Sequence, residues 1–366
     1  MAGKVLKYGF TTGACAAAAA KGAAEMLRDQ RVVETVEITL PTGDTVSFSL
    51  RGQTIRDGSA SCYVVKDAGD DPDVTHGAEI HARVAVEFFA PHRIRLEGGA
   101  GIGRVTKPGL AVPVGEWAIN PVPRRMILEG VKEVFAMRCL PATLTVTLSI
   151  PDGAERGKKT LNERIGIMGG LSILGTTGIV KPLSHKAWID TIDTALDVAL
   201  ACGSETIVLS TGRTSELAAQ KFFGTRDPGP GTRENLRDEA FIMMGDHVGH
   251  AVRSCSRKKA GRVIIAAQFA KLVKIACGCE QTHASSSDLD LKIVSEWLSG
   301  SPGAGHLADH ARRAHTAREL LELSGRDPGL VSLVCGRAKE FLRGLAPGLD
   351  VRVLLAGYGS ELLYFG

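Results

Sequence analysis

The segment Arg262-Val-Ile-Ile-Ala-Ala267 is a short apolar run rich in β-branched residues, and a helical pattern follows it at Phe269–Ala276. A run of this length between helices predicts a strand buried on both faces. The same pattern predicts strands at Thr206–Ser210 and Asp350–Ala356. Helices are predicted at Ser184–Ala201, at Ser215–Phe223, and near residues 288–299, 305–324 and 329–343. Alternation of this kind predicts a doubly wound, Rossmann-like α/β domain with a parallel sheet.

The first part of the chain has a different pattern, in which apolar and polar residues alternate. This alternation predicts strands at Val32–Leu40, Thr45–Leu50, Ser61–Lys66, Ala82–Phe89, Arg93–Glu97 and Thr143–Ile150. Helices are expected at Ala14–Arg28 and Pro121–Met137, which gives an α+β domain with a mainly antiparallel sheet. The turn Pro151-Asp-Gly153 ends the strand pattern. We therefore predict a two-domain α/β protein, with domains at 1–155 and 156–366 and an active site at their interface.

Composition excludes several classes of partner. The net charge of the 366 residues is +4 and aromatic residues make up 5%, which argues against nucleic-acid binding. No run approaches the roughly 18 apolar residues of a membrane span. Lys4 and Lys7 precede an alanine-rich run in the manner of a signal peptide, but Thr11, Thr12 and Gly13 interrupt it. Eight scattered cysteines predict reduced thiols in a cytoplasmic protein.

A glycine-rich stretch stands at residues 98–109, Gly-Gly-Ala-Gly-Ile-Gly-Arg-Val-Thr-Lys-Pro-Gly. Glycines there let a ligand approach main-chain N–H groups, and two cations add positive charge, so the loop is interpreted as a cradle for an anion. Its members are Gly99, Gly101, Gly103, Arg104, Thr106 and Lys107. It matches neither the dinucleotide fingerprint nor a P-loop. The alternative is a tight turn with a solvated basic edge.

Two further segments share the sequence Thr-Thr-Gly. Thr11-Thr-Gly13 precedes the first helix, where threonine is a good N-cap and the first-turn N–H groups could hold an anion. Gly175-Thr-Thr-Gly178 lies in a second glycine-rich loop, with Lys181 nearby. For the first segment, capping alone is the simpler interpretation.

An acidic cluster follows the strand that ends at Lys66. Asp67, Asp70, Asp71 and Asp73 could bind a metal, ribose hydroxyls or a sulfonium charge, or supply a general base. The alternative is an acidic turn with Asx caps. Four neighbouring carboxylates repel each other without a nearby cation, which favours a functional role.

Other motifs are weaker. Leu209–Ser215 lies at the carboxyl end of a predicted strand, where open α/β sheets bind ligands, but it has one glycine. Cys277, Cys279 and His283 form a partial zinc pattern without a fourth ligand, so we predict no metal site. His283 could instead form a proton-transfer pair with Asp288.

Taken together, these stretches resemble the CbiD family of the anaerobic cobalamin pathway. The resemblance spans nearly the whole chain and is carried by Tyr8–Cys15, Lys66–Gly77, Gly98–Leu110, Gly115–Met126, Gly166–Pro182, Lys271–Ala276 and Thr282-His283. The chain departs from the family pattern at Trp117, where proline is expected, and at Cys277 and Cys279, which makes a metal site there doubtful.

The resemblance implies transfer of a methyl group from S-adenosylmethionine to C-1 of cobalt-precorrin-5B, giving cobalt-precorrin-6A. Cobalt arrives within this small-molecule tetrapyrrole, so no protein metal is required. The many substrate carboxylates suit basic side chains. The implied substrate-binding residues are Arg104, Thr106, Lys107, Asn120, Arg124 and Lys181, with Arg125 nearby. The implied donor-binding residues are Thr11, Thr12, Gly13, Gly99, Gly101, Gly103, Gly175, Thr176, Thr177 and Gly178. Asp67, Asp70 and His283 are the catalytic candidates.

Two other functions stay open at this point. A nicotinamide-dependent tetrapyrrole reductase would need a complete phosphate-binding fingerprint, which neither glycine loop supplies. A non-catalytic corrinoid-binding protein would need no donor site. The sequence leaves open whether the protein forms a homo-oligomer. It also leaves open which glycine-rich loop binds the methyl donor.

Overall fold

The computed structural model describes residues 6–87, 93–135, 143–182, 184–224, 235–284, 286, 289, 291–300 and 305–366. Its contacts divide the chain into two compact units, Met1–Ser184 and His185–Gly366. Both contain helices and strands, arranged in several sheets, which confirms a mixed α/β protein. No helix in those ranges is both long and apolar enough to cross a lipid bilayer.

The first unit is built on a five-stranded sheet. Its elements are β1 (Gly9–Phe10), α1 (Thr12–Asp29), β2 (Thr35–Thr39), β3 (Thr45–Ser49), β4 (Arg51–Arg56), β5 (Ser59–Val65), β6 (Glu79–Glu87), β7 (Ile94–Gly98), β8 (Arg104–Val105), α2 (Pro121–Phe135), β9 (Thr143–Ser149), α3 (Gly153–Gly157), β10 (Ile167–Met168) and β11 (Ile179–Val180). The sheet order is β4-β5-β6-β9-β7, antiparallel except where β7 joins β9. β2 and β3 form a separate antiparallel ribbon.

Helix α1 lies at the centre of the first core. Every residue from Thr12 to Ala20 is buried, and the helix packs against β5, β6 and α2. Alanine combines the highest helix propensity with a small side chain, so sheet and helix can approach α1 closely. Thr11 is the N-cap, and its Oγ1 accepts a hydrogen bond from the Ala14 N–H at 3.2 Å.

Two pairs of very short strands keep residues 156–182 within the first unit. β10 pairs with β8 and β11 pairs with β1, both antiparallel. The sequence placed the domain boundary at 155/156, whereas the structure divides the chain after Ser184. The reason is that Pro151-Asp-Gly153 is a turn inside the first unit, with the Gly153 N–H donating to the Ile150 carbonyl.

The second unit contains a five-stranded sheet in the order β13-β12-β14-β15-β16. Its elements are α4 (His185–Ala201), β12 (Thr206–Ser210), α5 (Arg213–Phe223), a 3-10 turn (Asp238–Ala240), β13 (Phe241–Met243), α6 (Val248–Arg257), β14 (Arg262–Gln268), α7 (Phe269–Ala276), α8 (Leu291–Ser299), α9 (Gly305–Arg313), α10 (Ala317–Leu323), α11 (Pro328–Leu345), β15 (Asp350–Ala356) and β16 (Leu362–Phe365). The strands are parallel except β16, which is antiparallel to β15.

Apolar side chains leave both faces of this sheet. Leu209 and Ile265 pack with residues of α4, α6 and α7. Val208 and Ile264 pack with residues of α5 on the other face. Helices therefore cover the sheet on both sides, as its continuous apolar strands require.

The second unit differs from the sequence prediction in three unpredicted elements and in one predicted helix that is divided in two. β13, α6 and β16 were not predicted, since β13 and β16 are too short to show a periodic pattern. The predicted helix 305–324 is two helices, because Thr316 starts α10 as an N-cap that accepts from the Glu319 N–H at 3.1 Å.

Candidate active site

The two Thr-Thr-Gly segments meet in the first unit. The Thr11 N–H donates to the Gly178 carbonyl at 2.9 Å, and the Gly13 N–H donates to the Leu174 carbonyl at 3.0 Å. Thr12 Oγ1 accepts from the Leu174 N–H at 2.9 Å. Gly175 has a φ of +129°, and a Cβ there would lie 2.5 Å from the Thr11 side chain, so glycine is required. The loop is thereby fixed to the start of α1.

The start of α2 lies beside the start of α1. A Cβ on Gly13 would lie 2.6 Å from the Pro123 side chain. The Asn120 N–H donates to the Ile173 carbonyl at 2.9 Å, which ties the start of α2 to the same loop. Neither helix has an acidic residue in its first turn. The two positive helix ends favour negative charge here, but the Gly13 and Ala14 N–H groups already have partners and the two prolines at the start of α2 have no N–H, so few main-chain donors remain for an anion.

The glycines of the Gly98–Gly109 stretch serve close backbone packing. The Gly99 N–H donates to the Leu148 carbonyl at 2.6 Å, and the Gly103 N–H donates to the Leu171 carbonyl at 2.9 Å. Gly101 has a φ of +73°, and a Cβ there would lie 1.9 Å from the Ile150 carbonyl oxygen. The expected anion cradle therefore lacks the N–H groups of Gly99 and Gly103, because the Leu148 and Leu171 carbonyls already accept from them.

The polar side chains that follow these glycines are anchored by main-chain carbonyls. Arg104 lies over the Trp117 ring at 4.0 Å and donates to the Gly115 carbonyl at 2.6 Å. Thr106 donates to the Gly166 carbonyl at 2.9 Å, and Lys107 donates to the Arg164 carbonyl at 3.0 Å. The Arg104 guanidinium stays exposed. It can therefore still meet a ligand carboxylate.

Two more predicted cations lie in the same unit with different surroundings. Arg124, in the first turn of α2, forms an ion pair with Glu116 at 3.0 Å. Lys181 lies 5.9 Å from the centre of the Tyr8 ring. Tyr8 is 57% exposed, which leaves an aromatic face open beside this lysine.

The acidic loop joins this region through β1. The Phe10 N–H donates to the Asp67 carbonyl at 2.7 Å. Lys7 contacts Asp67 Oδ2 at 2.6 Å, and the Gly69 N–H donates to Asp67 Oδ1 at 2.8 Å. The hydrogen bond from Lys7, helped by the one from Gly69, lowers the pKa of Asp67 below its ordinary value. This carboxylate stays ionised at neutral pH.

Two other aspartates of the cluster also have defined partners. Asp70 accepts from the Lys7 N–H at 2.8 Å. Asp73 forms an ion pair at 2.6 Å with Lys66, which is 1% exposed. Burial opposes ionisation of Asp73, but the bonds from Lys66 and Thr75 outweigh it and lower its pKa. From the sequence, a cation was expected near these clustered carboxylates, and the side chains of Lys7 and Lys66 supply it.

His283 lies in the second unit, next to a network that sequence reasoning missed. Fully buried Thr282 donates to Asp246 at 2.6 Å, and Lys271 contacts Asp246 and donates to the Thr282 carbonyl at 2.9 Å. Burial opposes ionisation of Asp246, but the bonds from Lys271 and Thr282, together with the charge of nearby His283, lower its pKa. Asp288, the predicted partner of His283, lies outside the described residues.

Asp246 could not be found from sequence because β13, which leads into it, was not predicted. Among the residues described, no three His, Cys, Asp or Glu side chains are grouped as metal ligands. The site predicted at the interface of the two domains stays a prediction.

Comparison with protein families decides the relationship of this chain. The CbiD family model matches residues 1–182, and the model of the CbiD C-terminal domain matches residues 281–365. The chain belongs to the CbiD family. Every predicted site residue of the first unit lies in the first CbiD match, and His283 lies in the second.

Curated CbiD relatives match over the whole chain. A protein of Citrifermentans bemidjiense is 62% identical over 365 residues, covering 100% of this chain and 99% of the relative. One of Geobacter sulfurreducens is 60% identical and covers 100% of each. One of Rubrobacter xylanophilus is 41% identical, covering 98% of this chain and 90% of the relative. All three are named cobalt-precorrin-5B C(1)-methyltransferase.

A solved structure also matches. The cobalamin biosynthesis protein CbiD from Archaeoglobus fulgidus is 30% identical, covering 75% of this chain and 81% of that one, with a TM-score of 0.39.

Proposed function

We propose that this chain methylates C-1 of cobalt-precorrin-5B, giving cobalt-precorrin-6A in anaerobic cobalamin biosynthesis. The observation that carries the proposal is identity of about 60% over the full length with relatives that bear this activity in their names. We take S-adenosylmethionine to be the methyl donor, because an activated methyl group is what a C-methyltransferase requires.

The donor, when bound, supplies an electrophilic methyl group on a sulfonium. The chain must then align the ring carbon, the methyl and the sulfur. Asp67 is the proposed partner of the sulfonium charge: its carboxylate is 46% exposed, and a bound sulfonium would share it with Lys7, which contacts Oδ2 at 2.6 Å. Its lowered pKa makes it a weak base, so its proposed role is electrostatic.

The proposed donor-binding segments are Thr11–Gly13 and Gly175–Gly178, and Thr176 and Thr177 are exposed there. Gly99, Gly101 and Gly103 stay in the proposed site as residues that permit close backbone approach. The positive dipole ends of α1 and α2 favour carboxylate groups in this region, although the Gly13 and Ala14 N–H groups already have partners.

The proposed partners of the macrocycle are basic and polar side chains of the first unit: Arg104, Thr106, Lys107, Asn120, Arg124 and Lys181. Charged hydrogen bonds from such groups suit the acetate and propionate side chains of a tetrapyrrole. Asp70 and His283 remain the proposed groups for proton transfer at the reacting ring. No resident metal is needed for this reaction, since cobalt arrives in the substrate.

Three broader features belong to the same proposal. We take the protein to act in the cytoplasm on a small-molecule substrate, with a homo-oligomer left open. We also propose the Rossmann-like, doubly wound description for the second unit. It is supported by the parallel strands and by helices on both sheet faces.

The test is an anaerobic incubation with cobalt-precorrin-5B and methyl-labelled S-adenosylmethionine, followed by mass spectrometry. One labelled methyl on the macrocycle is expected. Asp67→Asn should slow its appearance about tenfold, since a charged interaction is lost, while the exposed control Asp57→Asn should not. An unchanged macrocycle that binds tightly would indicate a carrier, and a two-electron mass change that needs nicotinamide would indicate a reductase.

A further inference from the structure

The loop Ser210–Ser215 follows β12 at the carboxyl edge of the second sheet. With β12 numbered first, the strand order of this sheet is 2-1-3-4-5. In open sheets of this order, ligands bind beyond the carboxyl ends of strands 1 and 3, where the chain leaves toward opposite faces. Here those strands are β12 and β14. The loop that follows β12 is therefore a topological candidate for a ligand site.

At this edge the chain leaves β12 and β14 toward opposite faces of the sheet, as the rule requires. The Thr211 N–H donates to the Ala266 carbonyl of β14 at 3.1 Å, so the two strand ends lie together. After β12 the chain enters α5, which covers the face of Val208. After β14 it enters α7, which packs on the face of Leu209 and Ile265. Two helices thus begin beside one another on opposite sides of the sheet.

Neither helix has an N-cap side chain that accepts from its first-turn N–H groups in the described part of the chain. Helix α5 has 11 residues and glycine at its N-cap, so no N-cap side chain accepts from its first-turn N–H groups; Ser215 Oγ accepts only from the N–H of Gly212 itself, at 3.3 Å. Helix α7, with Gln268 as its N-cap, likewise has no side-chain cap there. Uncapped first-turn N–H groups attract anions. Unlike α1 and α2, α5 has an acidic residue in its first turn, the buried Glu216, and its charge is balanced by an ion pair with Arg213 at 2.6 Å.

A buried hydroxyl supplies an independent indication. Ser210 is 0% exposed, and its Oγ has no hydrogen-bond partner among the described residues. Side chains alternate along a strand, so Ser210 faces the same side as Val208, which is the α5 side. It ends β12 two residues before the N-cap and therefore points beneath the first turn of α5. A buried hydroxyl without a hydrogen-bond partner costs free energy, so a ligand atom that bonds to it would be stabilised.

The N-cap residue leaves room for a ligand. Gly212 has an extended φ of −179°, which any residue adopts. A Cβ built there would meet no atom of the described residues within 4 Å. The space in front of the helix is therefore open on the side where an N-cap side chain would normally lie.

From these observations we infer that the Ser210–Ser215 loop binds a carboxylate group of a ligand, held by the first-turn N–H groups of α5 and by Ser210 Oγ. The inference builds on the proposed function, which supplies two carboxylate sources. One is the amino-acid end of the methyl donor, and the other is the set of acid side chains of the macrocycle.

The test fills the site with a carboxylate from the chain itself. Gly212→Asp places an N-cap acid before α5, whereas Gly212→Ala adds only a methyl group in open space. Aspartate is a favourable N-cap, so the thermal midpoint of Gly212→Asp should equal or exceed that of wild type. Binding is measured by calorimetry with S-adenosylhomocysteine, with 5′-methylthioadenosine, which lacks the carboxylate, and with cobyrinic acid as a carboxylated cobalt corrinoid.

If the carboxylate comes from the donor, Gly212→Asp weakens the binding of S-adenosylhomocysteine about tenfold or more, because a charged contact is replaced by repulsion. The binding of 5′-methylthioadenosine is unchanged. If the macrocycle is the source, cobyrinic acid is weakened instead. In both cases Gly212→Ala binds like wild type, and Ser210→Ala weakens the same ligand without lowering the thermal midpoint.

Equal binding of all ligands by wild type and Gly212→Asp would overturn this site and leave the proposed function standing. If wild type binds neither S-adenosylhomocysteine nor cobyrinic acid, both this site and the proposed function are overturned.

Discussion

Lys66 and Asp73 form an ion pair within the first unit, with 2.6 Å between Nζ and Oδ2, although Lys66 keeps only 1% of its surface exposed. A buried lysine is tolerated only with a partner, since an isolated buried charge is costly. Asp73 also accepts from the Thr75 N–H at 2.7 Å, so the pair fixes the acidic loop to the end of β5.

The first prediction concerns this pair. Asp73→Asn removes the carboxylate and leaves Lys66 buried without its counter-charge. We expect a loss of about 3–5 kcal/mol in the free energy of unfolding, measured by urea denaturation. Lys66→Met should cost less, because the Asp73 side chain is 26% exposed and can be hydrated. A double variant that costs as much as the sum of the single ones would contradict the coupling.

The second prediction is a pH dependence in the second unit. The pKa of Asp246 is lowered on folding from its ordinary value of 3.8. A lowered pKa contributes stability that is present above pH 3.8 and is lost as the pH falls through the folded value. The difference in thermal midpoint between wild type and Asp246→Asn should be largest near pH 7 and shrink below pH 4. A difference that grows on acidification would contradict the prediction, because it would mean that folding raises the pKa of Asp246.

The third prediction separates crowding from backbone conformation. Gly101 and Gly43 both have positive φ, but only at Gly101 would a Cβ meet backbone, at 1.9 Å from the Ile150 oxygen. Gly43→Ala should cost about 1–2 kcal/mol for the left-handed conformation. Gly101→Ala should cost clearly more, because two chain segments must separate. Equal thermal midpoints for the two variants would refute the packing role of the glycine stretch.

The fourth prediction concerns the macrocycle. Arg104→Gln removes an exposed guanidinium that is held over Trp117. We expect KM for the tetrapyrrole to rise about tenfold with kcat nearly unchanged, as for loss of a charged hydrogen bond made equally in ground and transition states. Arg51→Gln, on exposed β4, is the control. A fall in kcat alone would place Arg104 in the chemical step instead.

The fifth prediction concerns the thiols. Burial raises the pKa of four cysteines to about 12, namely Cys15, Cys62, Cys255 and Cys335. Since the thiolate is the reactive form, iodoacetamide at pH 8 should leave these four unmodified in the native protein. Half-exposed Cys202, Cys277 and Cys279 should react before these four, as read by peptide mass spectrometry. Rapid labelling of Cys15 would contradict the burial of α1.

The sequence was sufficient where the local pattern is strong. The apolar run of β14 and the helix α7 were predicted with the observed starts, and α1 within two residues. The strand pairs β1–β11 and β8–β10 could not be predicted, because each strand has two residues and its partner lies far along the chain. Those pairs are what draw residues 156–182 into the first unit.

The candidate site was likewise predicted from the sequence only in part. The acidic cluster was recognised as needing cations, but composition cannot reveal that Lys7 and Lys66 supply them. The glycines of the Gly98–Gly109 stretch suggested open N–H donors. In the fold, the Gly99 and Gly103 N–H groups donate to the Leu148 and Leu171 carbonyls instead, and only the three-dimensional arrangement distinguishes the two uses.

The second sheet ends on both sides in very short strands, three residues in β13 and four in β16, while its inner members have five to seven. A long exposed edge is a template for another chain, and short edge strands are a common protection against it. Phe365 of β16 also packs against the α5 face. Self-association by sheet extension is therefore disfavoured, and a pairing of two copies of the second unit would have to use helix surfaces.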